Sequence, residues 1–157
     1  MFIASEPFGM LAGLPMHPLL VHSAVVLVPL VAIGALVMSY LPSFSRRHGK
    51  IILILAVIAQ VSVFLAKMSG EAFAEILDKN VEKHAELGEI APLVTLPMVA
   101  LIYLRWRMDR AGSSIGNATV RRLTSIALVI SSLISLVMIF LVGHSGASSV
   151  WGWIDKL

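Results

Sequence analysis

Four long apolar runs, Pro18 to Leu41, Ile51 to Ala66, Ile90 to Leu104 and Leu123 to Val142, leave this chain few places to fold other than a lipid bilayer. A helix of roughly 20 apolar residues crosses the hydrocarbon core. Inside that core no water is available to the backbone, so each N–H and C=O group must be bonded internally, which a helix does and an open sheet does not. Composition agrees, with 58% of residues hydrophobic and 13% charged, against about a quarter charged in soluble domains. The second and third runs are short, so Lys50 and Lys67 are expected to snorkel from the ends of the second. Tyr103 and Trp106 mark an interface beyond the third. The expected fold is all-α, one transmembrane domain over residues 1–157, with spans at about 18–41, 51–67, 90–105 and 123–143. The stretch from Met1 to Met16 lacks a basic n-region and carries Glu6, Pro7 and Pro15, so it does not read as a cleaved secretory signal.

The loop charges set an expected orientation. The first loop carries Arg46, Arg47 and Lys50 with no carboxylate, and the third carries Arg105, Arg107, Arg110, Arg121 and Arg122 against Asp109 alone. Short basic loops stay in the cytoplasm. The middle connection holds Glu71, Glu75, Asp78, Glu82, Glu86 and Glu89 against Lys67, Lys79 and Lys83, so it is expected outside together with both termini. Trp151 and Trp153 would then anchor the C-terminal end at the outer interface. The sequence pI near 9.6 reflects this topology and not a nucleic-acid surface, because the cations are not interleaved with aromatic residues.

Wound at 100° per residue, the middle connection separates into an apolar face (Phe73, Ile76, Leu77, Val81, Leu87) and an acidic face (Glu71, Glu75, Asp78, Glu82, Glu86). The pattern predicts a separate amphipathic helix over about 70–87, lying on the bundle and ending at Gly88. His84 falls in the apolar stripe between Phe73 and Leu77 and is expected to turn inward.

The histidines are the most informative residues. His17 and His22 open the first span, His84 lies on the outer segment and His144 closes the fourth span, so by the topology all meet at the outer edge; His48 alone is at the other end. Ionisable groups at membrane depth are costly and usually functional. The plain alternative is that each histidine simply bonds to nearby backbone at the interface. His17 and His22, five residues apart, stand about 140° apart on a helix, so they do not share a face. Ser125, Ser132 and Ser135 make a small-residue stripe that reads as helix packing.

The pieces Gly13-Leu14-Pro15-Met16-His17-Pro18-Leu19-Leu20-Val21-His22, Gly70-Glu71-Ala72, His84-Ala85-Glu86-Leu87-Gly88 and Gly143-His144-Ser145-Gly146 occur in this order along the chain. In them the sequence resembles the domain of unknown function 2231 family, small bacterial four-helix membrane proteins. Members resembling this chain often carry proline soon after the second histidine and a further glycine after the last, where this chain has Ser23, Ala24 and Ala147. The resemblance implies the four-span topology and the outer histidines in a bacterial cytoplasmic membrane, and no activity.

Two functional readings stand side by side. In one, His17, His22, His84 and His144, with Glu71 as carboxylate support, bind haem b or a transition metal for electron transfer in the envelope. Against it, the acidic outer side offers only Lys67, Lys79, Lys83 and Lys156 to haem propionates. In the other, the bundle carries no cofactor and packs as an accessory subunit in a larger membrane complex, respiratory complexes included. The absence of cysteine excludes thiolate sites and cysteine-attached haem. Transport finds little support, since Gln60 and Lys67 are the only strongly polar groups of the second span and no intramembrane partner for them is evident. Hydrolysis finds none, because no Ser-His-Asp set can be placed without arbitrary choice. No catalytic set is therefore assigned, and whether the chain is an enzyme stays open at this stage; its expected contact is lipid.

Overall fold

The computed structural model describes residues 10–11, 13–77, 81–152 and 154. A two-residue antiparallel ladder, β1 (Met10–Leu11) against β2 (Leu14–Pro15), leads into α1 (Met16–Tyr40). Then come α2 (Pro42–Leu77), α3 (Glu82–Ala111), a 3₁₀ turn (Gly112–Ser114) and α4 (Ala118–Trp151). The four α-helices pack as neighbours in the cyclic order α1, α2, α3, α4, which puts α1 diagonally opposite α3. The expected all-α four-helix bundle is what forms.

All four helices are long and apolar enough to cross a membrane. Their surfaces make the same point, because Val26, Ile33, Leu93 and Phe140 are 64%, 57%, 72% and 68% exposed. Those side chains have no protein to cover them, and lipid is the solvent in which they cost nothing. The interior is built from small residues: Ala24, Ala32, Ala35, Ala56 and Ala59 are buried, as are Ser132 and Ser135 of the serine stripe. In lipid there is little hydrophobic drive between helices, and close backbone approach replaces it. Gly34 and Gly49 show the closeness, since a Cβ on either would collide with Ile52 or Trp106 of the facing helix.

The turns are short and locally determined. Leu41 alone separates α1 from α2, donating to the Val37 carbonyl and accepting from Ser45 N–H. Pro42 then occupies the first helical position, where its missing N–H costs nothing. Between α3 and α4, Gly112 and Gly116 take φ of 61° and 72°, which suits glycine. Asn117 caps α4, its side-chain oxygen accepting from Val120 N–H at 2.9 Å.

The separate amphipathic helix over 70–87 is not found. α2 continues unbroken through Gly70 to Leu77, and α3 already includes His84 and Gly88. Gly70 lies within α2, its bare backbone the seat of the His17 ring, and the Lys67–Glu71 pair at 3.3 Å spans it. Among the described residues, the middle connection is the end of α2 and the start of α3. The side chains of Phe73, Glu75, Ile76, Leu77, Asp78 and Lys79 lie outside the described residues, as does the segment before Met10. The rest of the pattern holds, with His84 and Leu87 turned toward the bundle and Glu82 and Glu86 exposed.

Candidate functional site

At the end of the bundle where α1 begins, His17 reaches across to α2. Its Nδ1 lies 3.0 Å from the Ala66 carbonyl oxygen and 3.2 Å from Ser69 Oγ. The Ser69 hydroxyl donates to that same carbonyl at 3.1 Å. A carbonyl only accepts, so Nδ1 carries the proton and donates, which leaves the lone pair of the neutral ring on Nε2. The ring lies against Gly70, where a Cβ would stand 3.0 Å from Cε1.

His84 of α3 makes the same set of contacts with α4. Its Nδ1 donates toward the Val142 carbonyl at 3.1 Å and Ser145 Oγ at 3.2 Å, and the Ser145 hydroxyl donates to Val142 O at 2.9 Å. The ring rests on Gly146, where a Cβ would again be 3.0 Å from Cε1. The two imidazoles meet edge to face, centroids 6.1 Å apart and planes at 76°.

This correspondence extends down the bundle. Laying α1 on α3 so that His17 falls on His84 brings buried Ala24, Val28, Val31, Ala35 and Met38 onto buried Ala91, Thr95, Met98, Ile102 and Arg105. Laying α2 on α4 so that Ser69 falls on Ser145 brings buried Ala56, Ala59, Ser62 and Val63 onto buried Ser132, Ser135, Met138 and Ile139. The fold is two equivalent helical hairpins, each contributing one histidine, one serine and one glycine to a shared place between them.

The other candidates stand apart from that pair. His22 is exposed, its Nδ1 bonded to the Pro18 carbonyl of its own helix at 2.5 Å, as the angle from His17 requires. His144 is exposed and stacks on Phe140 at 6.0 Å, sharing with His84, Leu87 and Ser148 the wall of a groove of about 310 Å³. Glu71 is 69% exposed and paired with Lys67. Among the described residues no three histidine or carboxylate side chains stand close enough to hold a metal ion. His48, at the opposite end, packs on Phe44 at 4.8 Å.

Sequence reasoning passed over the serines that hold the rings. The signal was there, in the Ser-Gly dipeptides at Ser69-Gly70 and Ser145-Gly146, each near the end of a span. It also left Gln60 without a partner. The structure supplies one: the Gln60 amide donates to the Pro92 carbonyl at 2.9 Å and accepts from Thr95 Oγ1 at 2.8 Å. This clasp joins α2 to α3 where two prolines, Pro92 and Pro97, remove intrahelical donors.

The opposite end corrects the purely topological reading of its charges. Asp109, its side chain 1% exposed, pairs with Arg105 at 2.8 Å and Arg121 at 3.5 Å. Arg105 also donates to Ser125 Oγ at 2.6 Å. Arg121 donates to the carbonyls of Met108 at 2.7 Å and Ile115 at 3.1 Å, and to that of Gly112, tying the α3–α4 turn to α4. Two of the loop arginines are thus structural groups, Arg105 buried and Arg121 half-buried at the turn.

A family model described as a predicted membrane protein, DUF2231, matches residues 13–153. No curated protein and no solved structure matches the chain.

Proposed function

The chain belongs to the DUF2231 family of predicted membrane proteins, a classification that carries a topology and no chemistry, and from the paired imidazoles we propose that His17 and His84 ligate one redox centre. Haem b suits the pair better than a bare transition ion. Two protein donors complete a haem, whose macrocycle supplies the other four, whereas a bare zinc ion takes three or four ligands from protein. The carrying observation is the matched anchoring of both Nδ1 atoms on a carbonyl and a serine. Metal-bound histidines are held in this way, one nitrogen fixed by hydrogen bonds so that the other presents a lone pair. The two rings are also near neighbours, their centroids 6.1 Å apart.

The centre would transfer single electrons on the envelope side of a bacterial cytoplasmic membrane. Charge supports that orientation. Among the described residues, the end remote from His17 and His84 carries Arg46, Arg47, Lys50, Arg107, Arg110 and Arg122 outside any ion pair, and its one carboxylate, Asp109, is buried between two arginines. Under the positive-inside rule that end faces the cytoplasm, leaving both chain ends and the imidazoles outside.

The test is the absorption spectrum of protein purified from its native membrane, before and after reduction. A Soret band shifting on reduction is expected, lost in His17→Ala and His84→Ala and kept in His22→Ala and His144→Ala. No visible band together with no stoichiometric metal sinks this reading. The histidines would then be interhelical clasps in a cofactor-free accessory subunit.

A further inference from the structure

A second site lies at the arginine end, on the outer surface of α3. Trp106, Arg107, Arg110 and Ala111 line an open groove of about 300 Å³. Trp106 packs against α2, close enough to Gly49 that no Cβ would fit there. The Arg110 guanidinium sits over that indole, 5.5 Å from the ring centroid. Arg107 stands three residues earlier, one turn along the same side of the helix. Among the described residues neither arginine has a carboxylate within ion-pair distance, because Asp109 is consumed by Arg105 and Arg121 on the inner side of α3. Arg46 and Lys50, exposed on α2 to either side of Gly49, add to the positive field.

We propose that this groove binds the headgroup phosphate of an anionic phospholipid. The position is the level at which a span ends and headgroups begin, marked by an indole, which favours that level. The chemistry is a forked guanidinium pair, which matches phosphate oxygens bidentately. One member is stacked on an aromatic ring and so loses less freedom on binding. The groove is open, and the acyl chains of the bound molecule would lie along the exposed apolar surface of Leu96 and Tyr103, on the same stripe of α3 as Arg110. Basic pockets at the ends of spans take such lipids. A zwitterionic lipid offers the same phosphate but brings a cation into a field that already holds unpaired arginines.

The proposal is tested with the full chain carrying Trp151→Phe and Trp153→Phe, so that Trp106 alone fluoresces. Lipids brominated on the acyl chain quench that fluorescence when bound. Brominated phosphatidylglycerol is expected to compete for the site about fivefold or more better than brominated phosphatidylcholine. Arg107→Gln with Arg110→Gln should bring the ratio to about one, while Arg47→Gln with Arg122→Gln, which removes the same charge from the same end, should leave it. Helical content and unfolding temperature of each variant confirm that it is folded. Equal quenching by the two lipids overturns the proposal, as does loss of preference in the Arg47/Arg122 pair, which would mean a diffuse field and no site. Displacement of the brominated anionic lipid by millimolar inorganic phosphate at constant ionic strength would assign the groove to free phosphate and overturn the lipid.

Discussion

Alanine placed at Gly70 or Gly146 isolates the seating of the two imidazoles. A Cβ at either position would stand 3.0 Å from the Cε1 of His17 or His84, whereas carbon atoms pack best at about 3.5–4.0 Å. The ring must therefore retreat by about 0.5 Å or more. It cannot do so freely, since Nδ1 is held at 3.0–3.1 Å from a carbonyl and 3.2 Å from a serine of the same helix as the glycine. Losing that hydrogen bond costs about 0.5–1.5 kcal/mol. Alanine is favoured over glycine inside a helix by about 1 kcal/mol. The two effects oppose each other, so Gly70→Ala and Gly146→Ala are expected to leave stability nearly unchanged. Gly88 and Gly143 face open space, and alanine there should keep the whole gain of about 1 kcal/mol. Thermal unfolding in an uncharged detergent, followed by circular dichroism, reads this contrast with or without a bound centre. In protein carrying one, Gly70→Ala and Gly146→Ala should also lower affinity for the centre by roughly tenfold or more, the usual effect of disturbing the groups that orient a ligand. If all four variants stabilise equally, the imidazoles do not rest on these glycines and the positioning argument fails.

Two further outcomes are expected. Asp109→Asn leaves buried Arg105 without its counter-charge, and breaking such a buried pair costs about 3–5 kcal/mol; an unfolding midpoint within a degree or two of the parent would show that the network carries no stability. Because the chain has no cysteine, single replacements are clean reporters of sidedness: Lys83→Cys should react with a membrane-impermeant thiol reagent in intact cells and Arg122→Cys should not, and the reverse pattern would overturn the orientation.

The membrane fold was legible because lipid imposes it through composition and length alone. Runs such as Leu123 to Val142 can satisfy their backbone in hydrocarbon only as helices, and four of them must form a bundle. His84 turning inward and Glu82 and Glu86 turning out also followed from helical periodicity, which depends on local geometry only. The expected separate helix over 70–87 does not form because α2 runs on through Gly70 to Leu77 and α3 runs on through Gly88, and the seating of His17 on Gly70 is a contact invisible along the chain. The four histidines read as one group because they share a depth, yet depth is only one coordinate. The angle about each helix axis, and the packing of α1 diagonally to α3, decided that His17 meets His84 while His22 bonds to its own helix and His144 stacks on Phe140. In the same way Arg105, Asp109 and Arg121 are simply loop charges in sequence. Only the register of α3 against α4 makes them a buried network, because ion pairing falls off within a few ångströms and register is set by the packing of whole helices.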